Sequence, residues 1–343
     1  MGDGARSVLV TGATGLVGFE VADRLRGRPG VAVTATSRRP GTAPPDAVPW
    51  TIGGEPRPAR LDRHWDVIVH TAADVRWTMT PEQAHRANVA TVAALRPLIS
   101  ADTHLVHVST AYAGGLRGDV SSDDPADYRN TYEWSKAGAE RLVRELPGPV
   151  TVVRPPLIVG RRADGRAARF AGMYTILRGI AAGSVPVLAA EPDALVDVVP
   201  VDDLGDLLVE TALRPPDGGT APVVLAGGDR APSVRAAVEA MLDGLNAWRA
   251  ERGIERLVAP RVVPPESWHR FFLPFAREHL TARQNRMIDL LRVFEPYFSL
   301  TGPLVPTRRV TGVEDCVRAS AAYWADRNPR LASLRPRPWR GAD

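Results

Sequence analysis

Ser7-Val-Leu-Val-Thr11-Gly12-Ala-Thr14-Gly15-Leu16-Val17-Gly18 is the stretch whose reading decides the fold. An apolar run over residues 7–11 meets three glycines spaced three apart, and a helical pattern follows from Leu16 to Leu25. The reading is strand, tight turn, helix. Glycines at such a turn let the backbone approach a pyrophosphate, and the helix N-terminus offers free N–H groups and the positive end of its dipole. The spacing is G-x-x-G-x-x-G rather than the G-x-G-x-x-G of many dehydrogenases, but its place between a first strand and a helix is the context a dinucleotide site requires. Gly12, Thr14, Gly15, Leu16 and Val17 are therefore candidate cofactor contacts.

The next strand, Val31 to Thr36, ends in Ser37-Arg38-Arg39-Pro40. A carboxylate at this place holds the ribose 2′-hydroxyl of NAD, whereas arginine accommodates the 2′-phosphate of NADP. No Asp or Glu lies between Asp23 and Asp46, so Arg38 points to NADPH. Gly41 to Pro45 reads as a Pro-rich turn.

Further along, Ala47 to Ile52 reads as a short strand and Trp65 to Thr71 as a clearer one, leading into Ala72-Ala73-Asp74. Small residues there allow a cofactor close to the backbone, so Ala72 and Ala73 join the candidates; His70 is expected to be packed at the strand end. A helix is expected from Pro81 to Ile99, with Asn88 on the surface or turned towards the site. Thr103 to Ser109 is another strand, whose exit bunches the hydroxyls of Ser109 and Thr110. The carboxyl ends of strands form the ligand rim of an open α/β sheet.

Tyr132-Glu-Trp-Ser-Lys136 carries the chemistry. Lys136 is the only lysine beside 42 arginines, which marks a position where a planar, permanently charged guanidinium does not serve. Positions i and i+4 share a helix face, so phenol and ammonium are expected to meet and the cation to lower the tyrosine pKa towards the range of a general acid or base. A strand from Val150 to Val153 follows, then Arg154-Pro155-Pro156.

Length and composition set the outer limits. A chain of 343 residues holds one large α/β domain, or a nucleotide domain with an appendage. No run reaches the length of a membrane span and no signal-peptide pattern opens the chain, which reads as cytoplasmic. A single cysteine, Cys316, excludes a disulfide framework or Cys-based zinc site and is expected in a core helix. The net charge is +4, but the arginines are scattered, so nucleic acid is not an expected partner.

Taken together, Thr11-Gly-Ala-Thr-Gly-Leu-Val-Gly18, His70-Thr-Ala-Ala73, Asn88, His107-Val-Ser-Thr-Ala-Tyr112, Tyr132-x-x-x-Lys136 and Arg154-Pro155 resemble the extended short-chain dehydrogenase/reductases over roughly residues 7 to 215. His107–Tyr112 and Asp197-Val-Val-Pro-Val-Asp-Asp203 look most like the fatty acyl-CoA reductase and thioester reductase branch. The resemblance implies an α/β Rossmann fold, a doubly wound parallel sheet with a smaller, mostly helical C-terminal substrate-binding part. It implies that Tyr132 is the general acid, that Lys136 tunes it and holds the nicotinamide ribose, and that Thr110 binds the substrate oxygen. Asn88 would support proton relay, and Pro155 would pass near the nicotinamide.

Residues 1–215 are accordingly assigned to NADP binding, with 160–200 contributing to the substrate site; 216–330 form the C-terminal part and 331–343 an Arg/Pro-rich tail, loose or disordered. Leu195 to Val201 reads as the seventh strand, with Asp202 and Asp203 capping the next helix. Arg161, Arg162, Arg166 and Arg169 form a basic stretch able to meet the phosphates of CoA or of a carrier protein's phosphopantetheine. The aromatics between Pro264 and Leu300 pack a core or cover a lipophilic substrate. The expected activity is NADPH-dependent reduction of a ketone, an aldehyde or an acyl thioester. Its rivals are an epimerase or dehydratase of the same family and a cofactor-binding sensor without catalysis.

Overall fold

Strand β1 (Arg6–Thr11) is buried from Val8 onwards, as a continuous apolar run covered on both faces of a parallel sheet should be. In the computed structural model, which describes residues 5–38, 47–191, 193–216, 218–300 and 302–335, five more strands join it. They are β2 (Val31–Ser37), β3 (Val48–Pro49), β4 (Val67–His70), β5 (His104–Val108) and β6 (Val150–Arg154). The order is β3-β2-β1-β4-β5-β6, continued by Val223–Ala226 and, at the edge, by Arg308–Arg309. Sheet growth reverses between β1 and β4, and a ligand crevice opens outside the carboxyl ends at such a switch point. Register aligns those ends, with Thr11 opposite His70 and His70 opposite His107.

Helix α1 (Leu16–Arg26) packs against the helix Val201–Leu213. The approach is close because Gly205 has no side chain; a Cβ there would lie 2.9 Å from Glu20 Cγ. Where one helix was expected from Pro81 to Ile99, the chain forms α2 (Pro81–Ala84), a π-helical turn His85–Val89, α3 (Ala90–Ala93) and a 3-10 turn Arg96–Leu98. Pro97 withholds an N–H near its end. Helix α4 (Thr131–Val143) starts at Asn130, whose side chain accepts from Glu133 N at 3.0 Å. Leu9, Trp65, Ile68, Leu95 and Leu105 belong to the buried cluster of this unit.

Contacts divide the chain into two units that do not follow the sequence linearly. Residues 1–156, 201–225 and 306–308 form the first, and 157–200, 226–305 and 309–343 the second. Two corrections follow. The expected seventh strand is Val198–Pro200, and it pairs with Leu157–Val159 in a separate two-stranded sheet; Val223–Ala226 takes the place beside β6. Pro155 and Pro156, without N–H groups, end β6 where the chain leaves the first unit. Asp202 and Asp203 sit inside the first turn of their helix rather than ahead of it, where their charge favours the N-terminal dipole.

In the second unit the helices Val234–Ala250 and Glu314–Arg327 pack so closely that a Cβ on Gly244 would lie 2.0 Å from Arg318 O. Cys316 is buried on the latter, as expected. Trp268, Phe294, Tyr297 and Phe298 are core residues, whereas Phe271, Phe272 and Phe275 are exposed, so the aromatic stretch divides. Arg162 is bound to the carbonyls of Thr311 and Gly312. The tail is docked at its start, where the buried Arg249 donates to the carbonyls of Ala332 and Leu334. The rest of the tail, from 336, and the Pro-rich turn at 41–45 lie outside the described residues. Among the described residues no helix is long and apolar enough to cross a membrane.

Candidate active site

The glycine turn is pressed onto the exit of β4. Gly12 has φ +73°, and a Cβ there would lie 2.8 Å from the backbone of Ala72. A Cβ on Gly18 would lie 2.3 Å from Gly12 O and 2.5 Å from Thr71 Oγ1. The Thr11 hydroxyl accepts from the N–H groups of Thr71 and Ala72, and Thr71 Oγ1 donates to Thr11 O at 2.6 Å. Gly15 caps α1 without a side-chain bond, and no acidic residue stands in the first turn. The positive end of the helix, at Leu16 and Val17, is thus left uncancelled, which suits a pyrophosphate. Ser37 Oγ donates to Thr14 Oγ1 at 3.4 Å, and Arg38 stands exposed just beyond β2. Arg39 lies outside the described residues.

Thr110 and Tyr132 meet at the neighbouring strand ends, and Lys136 lies one helical turn beyond Tyr132. The exits of β5 and β6 are stitched together by Ser109 N to Val153 O and Ala111 N to Pro155 O, both at 2.8 Å. Thr110 is buried, and its hydroxyl reaches the phenol of Tyr132. Lys136 Nζ donates to Val108 O at 2.7 Å. Burial lowers the Lys136 pKa to about 8, partly offset by the Glu140 carboxylate. Glu140, buried and four residues on, is itself gripped by Arg154 through two bonds of 2.8 and 2.6 Å.

The Tyr132 phenol departs from the sequence expectation. Its pKa is raised by burial, with the Thr110 hydroxyl opposing and the Glu133 charge reinforcing the shift. The expected lowering by Lys136 is absent because the ammonium is turned to the carbonyl of Val108 instead.

Behind Lys136 lie two buried imidazoles, His70 and His107, stacked with centroids 5.4 Å apart. His70 Nδ1 is 2.8 Å from Thr11 Oγ1. Burial, and secondarily Lys136, holds the His70 pKa down at about 3 and depresses His107 as well. Both are therefore neutral, and His70 is a packed strand-end residue as expected.

Asn88 is buried and turned inward, bonded to Asp74 and to Ser135. Ser135, which the sequence reading passed over, is marked by its spacing alone, three residues after Tyr132 and on the same helix face.

An NAD-binding family model described as "male sterility protein" matches residues 55–207. A dTDP-4-dehydrorhamnose reductase of Mycolicibacterium smegmatis is 28% identical over 233 residues, covering 64% of this chain and 63% of that protein. The hybrid PKS-NRPS synthetase mycA of Thermothelomyces thermophilus is 31% identical over 252 residues, covering 60% of this chain and 6% of the synthetase. The chain thus spans less than two thirds of either relative. Among solved structures, the terminal R domain from the myxalamid PKS-NRPS pathway superposes with a TM-score of 0.68 at 21% identity, covering 97% of this chain and 93% of that one. With the glycine turn and the Tyr132/Lys136 helix in its first unit, this chain resembles an NAD-binding family over residues 55–207 and shares the fold of a PKS-NRPS terminal R domain.

Proposed function

We propose that this protein is an NADPH-dependent reductase of acyl thioesters carried on CoA or on a carrier protein's phosphopantetheine, with Tyr132 as proton donor. The observation that carries the reading is the contact of the Thr110 hydroxyl with the Tyr132 phenol at the strand exit whose Val108 carbonyl holds the buried Lys136. A bound nicotinamide supplies the hydride. Gly12, Thr14, Gly15, Leu16 and Val17 would hold the pyrophosphate, Arg38 the 2′-phosphate, Ala72, Ala73 and Pro155 the adjoining backbone walls, and Lys136 the ribose hydroxyls.

The raised phenol pKa keeps Tyr132 protonated at neutral pH, the form an acid requires. Thr110 would orient the substrate carbonyl oxygen, which takes the Tyr132 proton as hydride reaches its carbon. Collapse of the resulting hemithioacetal breaks the C–S bond and gives an aldehyde and a free thiol, for one hydride and one proton consumed. The synthetase relative and the reductase-domain fold support the thioester. The dTDP-4-dehydrorhamnose reductase relative supports a second reading, in which the acceptor is a ketone or aldehyde of a bulky metabolite.

NADPH oxidation followed with octanoyl-CoA, octanal and 1-decalone separates the readings. Thioester turnover supports the first, turnover of the other two alone supports the second, and none with any of them refutes both. Tyr132→Phe is expected to retain NADPH binding and lose turnover; turnover that persists refutes the acid assignment.

A further inference from the structure

Every polar atom of the Asn88 carboxamide is committed, and the commitments join three separate pieces of chain. Oδ1 accepts from Asp74 N at 2.9 Å, while Nδ2 donates to Asp74 O at 3.1 Å and to Ser135 Oγ at 2.8 Å. Ser135 passes the connection on, its hydroxyl donating to the carbonyl of Tyr132 at 2.9 Å. Because its oxygen accepts from Asn88, the single proton is free for Tyr132 O, and the direction of the chain is set. Asn88 is 1% exposed and Ser135 0%.

Each member sits in an unusual local setting. Asn88 belongs to the π-helical turn His85–Val89, an irregularity that recurs at functional sites. A serine bonded back to a carbonyl in its own helix slightly disfavours the helix, yet here it does so in the first turn of α4, at the residue that bears the phenol. Asp74, pinned through both its N–H and its carbonyl, also grips Arg76 Nη2 at 2.7 Å. Lys136 is not part of this route, since Nζ is bound to Val108 O.

We propose that Ser135 is a positioning residue for Tyr132: through Asn88 it ties the first turn of α4 to the loop after β4 and so sets where the phenol stands relative to Thr110. The proposal rests on Tyr132 as the proton donor. A displacement of about 1 Å at a reacting group costs about a hundredfold in rate, and loss of one hydrogen bond that only positions it is expected to cost about tenfold.

Two readouts test it. The protein is labelled with carbon-13 at tyrosine Cζ, and the Tyr132 resonance is assigned by its loss in Tyr132→Phe. In Ser135→Ala that resonance is expected to shift and broaden, and the kcat with octanoyl-CoA to fall about tenfold, with NADPH affinity within about twofold of the parent. Ser135→Thr, which keeps the hydroxyl, is expected to restore both. An unmoved resonance, a Ser135→Thr variant no better than Ser135→Ala, or an equal loss of NADPH affinity overturns the proposal. Should Ser135→Ala not fold, Asn88→Ala must reproduce the shift or the proposal fails. If the parent turns over no substrate, the reductase reading falls and the resonance alone decides the positioning.

Discussion

Lys136 gives the sharpest test, because a lysine that titrates near pH 8 inside the fold leaves a signature in stability as well as in rate. The unfolded chain keeps this proton up to the ordinary value of 10.5, whereas the folded chain releases it at about 8. Between those values the unfolded state binds more protons, so the contribution to stability grows as pH rises and is flat below about 8. At about 1.4 kcal/mol per unit, raising the pH from about 7 to about 9.5 should stabilise the parent by about 2 kcal/mol through this group. Lys136→Met removes the titration. Urea unfolding of both proteins at the two pH values gives a double difference in which all other titrations, the unfolded-state tyrosines included, cancel. A double difference near zero refutes a desolvated, pKa-shifted Lys136. In the parent, the alkaline limb of kcat/KM should fall at about pH 8, where the free enzyme loses this cation.

The glycine turn and the cofactor phosphate give two further outcomes. Gly18→Ala places a Cβ against Gly12 O and Thr71 Oγ1; it should cost about 1–3 kcal/mol of stability and weaken NADPH binding, both read by thermal melts with and without NADPH. Unchanged melts would mean the turn yields. Arg38→Asp should move the preference from NADPH towards NADH in the ratio of kcat/KM values, and an unchanged ratio removes Arg38 from the 2′-phosphate site.

How much of this was legible in the sequence depends on whether the signal was local. The Gly12–Gly18 turn reads correctly because each glycine answers a backbone demand expressed within a few residues of chain. The helix that carries Tyr132 and Lys136 reads correctly for the same reason, since helix geometry is local, but the expected lowering of the phenol pKa by the ammonium is absent. The strand at Val198–Pro200 was misplaced because four consecutive apolar residues do not say which sheet they enter. The π-helical turn was invisible, as its hydrogen bonds shift by one residue without any change in the apolar pattern.

The sequence by itself determined the βαβ nucleotide half, the rim on which the hydroxyls and the phenol stand, and the single ammonium among the guanidinium groups. Periodicity and turn chemistry encode such features directly. Only the tertiary structure decided that Lys136 turns to Val108 O, that burial raises the phenol pKa, that His70 and His107 stack as neutral rings, and that Asn88 reaches Ser135. These depend on desolvation and on approaches between residues up to 47 positions apart, and a pKa or a hydrogen-bond partner is a property of the assembled surroundings rather than of the residue.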